Sequence, residues 1–155
     1  NRLFIIGGGH CSLALSRLMR SMDFYVTVYD ERNNLKTMLE NDAAHEKHII
    51  DSYDQLKELV PAGDTHYVVI MTFGYRTDEF ALRALMHNNF RYLGLLGSKT
   101  KVEKLLNDYQ RQGIPPAILQ RIRSPIGLPI KSQTPEEIAV SIAAEIIQVK
   151  NKDAQ

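Results

Sequence analysis

The chain has 155 residues, 44% of them apolar, and its 19 basic and 18 acidic side chains leave a formal charge of +1. That length suits one domain with its own core, and the balanced charge excludes the strong positive field that nucleic acid or an anionic membrane calls for. One cysteine excludes an internal disulfide framework and a thiolate zinc cluster, and no apolar run approaches the ~18 residues of a membrane span.

The chain opens on an apolar strand, Leu3-Phe4-Ile5-Ile6, which runs into Gly7-Gly8-Gly9-His10-Cys11-Ser12. Apolar residues then recur at Cys11, Ala14, Leu15, Leu18, Met19 and Met22, the stripe of a helix lying on a sheet, with only Leu13 off it. A second strand, Tyr25 to Tyr29, ends on Asp30, 23 positions after Gly7. Strand, glycines, helix, strand and terminal acid in this order form the context of a dinucleotide-binding β-α-β unit. Its glycines admit a pyrophosphate to the helix N-terminus, and its acid takes ribose hydroxyls. The third glycine of the fingerprint is replaced by Ser12, small enough to approximate the close helix-to-strand packing.

A polar stretch from Asn33 to Lys47 carries a short helix near Leu35 to Leu39. A strand at His48-Ile49-Ile50 leads to a helix around Tyr53 to Leu59, closed by Pro61-Ala62-Gly63. Tyr67 to Met71, β-branched and uncharged, reads as a central parallel strand. A helix from Asp78 to His87, a strand Tyr92 to Leu96 and a helix with the stripe Val102, Leu105, Leu106 and Tyr109, stopped by Gly113, follow. Ile122 to Gly127 reads as a short edge strand with a turn, because Pro125 cannot donate to a ladder. The last helix opens on Thr134-Pro135-Glu136-Glu137, where an N-cap, an N1 proline and an N3 glutamate coincide.

This alternation specifies an α/β fold: a doubly wound parallel sheet with helices on both faces, Rossmann-like, over residues 1–150, with 151–155 a disordered tail. Ligands of such sheets sit outside the carboxyl ends of the strands. Gly7 to Ser12, Thr72 and Phe73 after Met71, and Gly97-Ser98-Lys99 are therefore expected to share one crevice. The binding candidates are Gly7, Gly9, His10, Cys11, Ser12, Asp30, Arg32, Thr72, Phe73, Gly97, Ser98 and Lys99.

Several of these have a second reading. Asp30 is either the ribose acid or a solvated turn residue, and His10 either edges the ligand or merely packs. Cys11 is either a thiol acidified at a helix N-terminus or, as expected from its place in the stripe, a small buried hydrophobe. Lys101 and Lys104 are expected on a solvated face; Lys99 and Ser98 are better placed for an anion. Arg32 suits a 2′-phosphate, but Asp30 beside it repels one, favouring NAD(H) over NADP(H). His45, His48, His66 and His87 share no metal spacing, and neither a Ser-His-Asp set nor a carboxylate pair is evident, so no catalytic and no metal residue is assigned.

Taken together, Gly7 to His10, Asp30-Glu31-Arg32, Val69 to Thr72, Tyr92 to Ser98, Pro125 to Leu128 and Thr134 to Ala139 resemble the C-terminal Rossmann domain of the XdhC/CoxI family. The resemblance covers nearly the whole chain. It implies an accessory, chaperone-like factor of xanthine dehydrogenase and related molybdenum hydroxylases, which handles and delivers the molybdenum cofactor. It also implies a molybdoenzyme partner, possible contact with a cysteine desulfurase, and either an NAD(H)-like dinucleotide or a molybdopterin nucleotide as ligand. Two departures qualify the transfer. Phe73 stands where family members carry a histidine after the Met-Thr pair, although Asp78 is matched. The family's cysteine-bearing N-terminal domain has no counterpart here, so cofactor sulfuration is not assigned to this chain. The missing initiating methionine agrees with a domain of a longer protein.

Alternative readings are the cofactor domain of an NAD(P)-dependent oxidoreductase and an NAD-sensing regulatory domain, since one fold serves all three. A soluble, cytoplasmic domain without turnover of its own is expected. The last helix has two apolar stripes, Ile138, Ala139, Ile142, Ala143, Ile146 and Val140, Ala144, Ile147. These leave Glu137, Ser141, Glu145 and Gln148 as a polar strip, so a homodimer through this helix, a contact with the family's other domain and a groove within the same domain are all open.

Overall fold

The computed structural model of the chain describes residues 1–154. Six strands form one parallel sheet: β1 (Arg2–Ile6), β2 (Tyr25–Asp30), β3 (Glu46–Ile49), β4 (Gly63–Ile70), β5 (Phe90–Leu95) and β6 (Ile122–Arg123). Their order is β3-β2-β1-β4-β5-β6, so the connectivity reverses between β1 and β4. The helices are α1 (His10–Arg20), α2 (Lys36–Glu40), α3 (Leu56–Leu59, entered through a 3-10 turn at Tyr53–Gln55), α4 (Tyr75–Leu85), α5 (Lys99–Arg111), α6 (Pro116–Leu119) and α7 (Pro135–Lys150).

Successive strand residues point to opposite faces, and both faces are covered. Leu3, Ile5, Val26, Val28 and Val69 meet α1, α2 and α7, whereas Phe4, Ile6, Val68 and Ile70 meet α3, α4 and α5. Burial on two sides explains why the central strands are continuously apolar instead of alternating.

The expected doubly wound sheet is therefore present, with shifted element ends. β3 starts at Glu46 rather than His48. α4 starts at Tyr75, three residues before Asp78, with Gly74 as its extended N-cap and Asp78 in its first turn. The sequence reading missed α6, started by Pro116 in its first turn. β6 is shorter than its apolar run and stops two residues before Pro125, whose peptide bond to Ser124 is cis.

α1 has two neighbours, and this corrects its stripe. Ser12, Leu13 and Ser16 are buried along with Leu15 and Met19, whereas Cys11, Ala14 and Leu18 are only half-buried. α7 runs beside α1 and covers the flank that includes Leu13. α7 itself begins with the expected reciprocal cap: Thr134 Oγ1 accepts from the Glu137 amide at 3.1 Å, and Glu137 Oε1 accepts from the Thr134 amide at 3.4 Å.

The polar strip of α7 also departs from expectation, because Ser141 and Glu145 are buried. Glu145 Oε1 accepts from the Tyr92 hydroxyl at 2.5 Å and the Gly127 amide at 3.1 Å, and Ser141 Oγ donates to the Leu128 carbonyl at 2.7 Å. These bonds clamp the segment after β6 onto the helix. Gly127 has φ +91°, and a Cβ there would stand 2.1 Å from Ser141 Oγ, so only glycine fits. Of the second apolar stripe, Ala144 and Ile147 are half-buried within the domain and Val140 is 50% exposed.

Asn151–Asp153 form a turn closed by the Ala154 amide on the Asn151 carbonyl, and Asp153 pairs with Arg91 at 3.7 Å. These residues belong to the segment 151–155 expected as a tail, of which Gln155 lies outside the described residues. Among the described residues no helix is long and apolar enough to cross a membrane.

Candidate functional site

The carboxyl ends of β1, β4 and β5 are tied into one rim. The Met71 amide donates to the Ile6 carbonyl at 2.8 Å, and the Leu96 amide to the Ile70 carbonyl at 2.9 Å. The three expected loops, Gly7 to Ser12, Thr72-Phe73 and Gly97-Ser98, therefore start side by side where the strand order reverses, the usual ligand position in open α/β sheets.

Gly7 turns the chain with φ +115°, and a Cβ there would stand 2.2 Å from the Met71 carbonyl oxygen. Its glycine is required twice, by conformation and by the close approach of β4. A Cβ on Gly9 would meet nothing within 4 Å, so the space outside this turn is open. Gly9 is the N-cap of α1; no side chain caps the helix and its first turn carries no acid. The amides of His10, Cys11 and Ser12 precede the first intrahelical bond and form, with the helix dipole, a ready anion site. A pyrophosphate fits this donor set.

Each candidate around the turn takes a definite place. His10 is exposed at the first position of α1, facing a recess it shares with Gly9, Arg32, Leu35, Lys36, Thr37 and Glu40. Burial, with the nearby Glu136 carboxylate second, pushes the Cys11 thiol up, so it is not acidified by the helix terminus. Ser12 is fully buried at the helix-to-sheet contact, and its Oγ finds no partner among the described residues.

Asp30 is 0% exposed. Its Oδ2 accepts from the Gly8 amide at 2.8 Å and Arg32 Nη2 at 2.9 Å, and its Oδ1 from the Arg32 amide at 2.8 Å and Arg32 Nε at 3.0 Å. Burial opposes its ionisation, but the Arg32 guanidinium and the Arg32 and Gly8 amides outweigh it and hold the carboxyl below its ordinary value. The acid thus props the glycine turn, with its acceptor positions filled. A ribose hydroxyl reaches it only when Arg32 swings aside. Thr37 Oγ1, a contact absent from the sequence reading, donates to the Gly8 carbonyl and braces the same turn. Arg32 in turn lies 4.8 Å from the centre of the Phe73 ring, which is 64% exposed, a cation–π contact joining the rims of β2 and β4.

On the β5 side a cleft of about 210 Å³ opens between the α4 and α5 N-termini, with Thr72, Asp78, Gly97, Ser98 and Lys101 on its walls. Asp78 Oδ1 accepts from the Thr72 amide at 3.0 Å and Thr72 Oγ1 at 2.6 Å, and Thr77 Oγ1 lies 2.6 Å from Thr72 Oγ1. Burial pushes the Asp78 carboxyl up to about 6, against the opposing pull of the Thr72 bonds and Lys101. Ser98 caps α5 by accepting from the Lys101 amide at 3.3 Å. Lys99 is exposed and lies off this cleft; Lys101 is exposed, as expected of a solvated face, and also lines the cleft. Lys104 stands 5.7 Å from the Tyr75 ring centre. Sequence spacing did not single out Asp78 and Lys101 because their meeting depends on two helices that start from different strands.

Among the described residues no group of three or more His, Cys, Asp or Glu side chains is arranged to hold a metal ion.

Comparison with known proteins identifies the family and the fold. Residues 3–146 match the family described as XdhC Rossmann domain. A protein of Bacillus subtilis (strain 168) described as a probable xanthine dehydrogenase subunit is 32% identical over 154 residues, 99% of this chain and 44% of that protein. The uncharacterized protein YqeB of Escherichia coli (strain K12) is 32% identical over 151 residues, 97% of this chain and 27% of that protein. A crystal structure of a xanthine dehydrogenase from Bacillus halodurans superposes with a TM-score of 0.85 at 34% identity, covering 100% of this chain and 44% of that one. The chain thus spans less than half the length of each of these relatives.

Proposed function

The chain belongs to the XdhC family, whose Rossmann domain it matches over residues 3–146, and from that premise we propose that it is the nucleotide-binding unit of an accessory factor serving xanthine dehydrogenase-type enzymes. Its ligand is a nucleotide-containing cofactor, either an NAD(H)-like dinucleotide or the nucleotide form of a molybdopterin. Its role is to hold that ligand during handling and insertion of the molybdenum cofactor into the partner enzyme. The observation that carries the reading is the uncapped N-terminus of α1 behind the open Gly9 turn, at the reversal of strand order. Gly7 sets the turn, the amides of His10 to Ser12 meet the phosphates, and Asp30 with Thr37 keeps the turn in shape.

The partners on this reading are a molybdoenzyme and, for sulfur supply, a cysteine desulfurase that meets the longer protein. Self-association through α7 narrows to the flank around Val140, beside a groove shared with α1.

Thermal-shift titration tests the proposal. A bound nucleotide at a hundred times its dissociation constant stabilises the fold by about 2.7 kcal/mol, or roughly 5 to 10 °C for a chain of this size. NAD, NADH or a molybdopterin nucleotide is expected to give that shift. No shift with any of them at millimolar concentration overturns the reading.

A further inference from the structure

The Asp78 cleft is built from two kinds of surface. Leu95, Val102 and Leu105 contribute apolar walls, and the rings of Phe73 and Tyr75 stand beside them. The polar groups are Asp78, Thr72, Ser98 and Lys101. Asp78 Oδ1 accepts from the Thr72 amide and hydroxyl, which leaves Oδ2 open to the cleft. A carboxylate oxygen open to a cleft with apolar and aromatic walls matches the N–H edge of a flat ring: the ring faces take the apolar contacts and the edge donates to the oxygen. Lys101 adds a cation for a carbonyl or anionic group on the same ring. Such sites, mostly apolar with few convergent polar groups, are typical of small-molecule recognition.

We propose that this cleft is a ring-binding subsite, in which Asp78 accepts the N–H edge of a planar nitrogen heterocycle. The heterocycle is the carboxamide-bearing nicotinamide of a dinucleotide or the amino-lactam edge of a pterin. Both present N–H donors next to a carbonyl, the chemistry that Asp78 and Lys101 together read. The inference rests on the nucleotide-binding reading for how the ring is delivered, because the cleft adjoins the rim that carries Gly7 and Gly9. Asp78 is here a specificity residue, and Phe73 a stacking surface at the mouth.

Isolated rings separate the subsite from the glycine turn. The 15N-labelled chain is titrated with nicotinamide, with pterin and with ADP, and amide shifts are followed. Either ring is expected to move the amides of Thr72, Phe73, Gly97 and Ser98, and the tighter ring names the source. Asp78→Asn, which keeps an acceptor for Thr72 but sets an NH₂ donor or a neutral oxygen against the ring edge, is expected to weaken that binding about tenfold or more. ADP is expected to move the amides of Gly8 to Ser12 equally in both proteins. If neither ring moves the cleft amides, or if Asp78→Asn binds the ring as well as the parent does, the proposal is overturned whatever ADP does. Rings that bind while ADP does not leave the subsite standing and remove the nucleotide reading. Should Asp78→Asn fail to fold, Phe73→Ala, at an exposed position, decides: a loss of about fivefold or more in ring affinity supports the site, and unchanged affinity overturns it.

Discussion

Asp78→Asn should make the protein more stable at neutral pH, and the gain should vanish in acid. Burial moves the Asp78 carboxyl from 3.8 to about 6. Between those values the folded chain binds more protons than the unfolded chain, so stability falls as pH rises through the window and stays lowered above it. At ~1.36 kcal/mol per pH unit, that displacement is about 3 kcal/mol. Partial solvation of Oδ2 in the open cleft reduces it to about 2 kcal/mol. Asparagine keeps an oxygen for the Thr72 amide and hydroxyl and carries no charge to desolvate. The variant should therefore melt roughly 4 to 8 °C higher than the parent at pH 7.5 and within a degree or so of it near pH 4, where both side chains are neutral. Urea denaturation at both pH values measures this difference, and the other carboxyls, common to the two proteins, cancel. A variant less stable than its parent at pH 7.5, or a difference that does not change with pH, would show that the cleft solvates the carboxylate and that the desolvation argument is wrong.

Three further outcomes are expected. Gly7→Ala should destabilise by about 3 kcal/mol or more, because its φ of +115° and the Met71 carbonyl 2.2 Å from the new Cβ both oppose it; a melting temperature within 2 °C of the parent's refutes the close approach. Arg32→Ala should cost about 2 to 3 kcal/mol at pH 7, below the ~3 to 5 of a fully buried broken pair because Arg32 is 35% exposed. That contribution is present above 3.8 and lost as pH falls through the depressed Asp30 value, so the gap between the two proteins should narrow in acid; a gap that is the same at pH 3 and pH 7 refutes the ion-pair account. Val140→Glu, on the 50% exposed flank of α7, should leave the fold intact and convert any dimer seen by sedimentation to monomer; a dimer that persists moves self-association to another surface.

The sequence by itself determined the alternation of strands and helices, the glycine turn, the cap of α7 and the family resemblance. Each rests on neighbours within a few residues: the apolar period of a strand or helix, a glycine after a strand, Thr134 and Glu137 three apart. The tertiary structure decided what several elements contribute jointly. Asp30 reads from sequence as a free ribose acid, and only the fold of β2 against the glycine turn shows it saturated by Gly8 and Arg32. Ser141 and Glu145 read as a solvated strip until the segment after β6 and Tyr92 are laid against α7. Lys101 and Asp78 stand 23 residues apart on helices that follow different strands, and no local period places them in one cleft. Periodicity reports which face of an element is apolar, whereas the partner of a polar group is set by long-range packing, because a buried donor or acceptor is satisfied by whatever the fold brings to it.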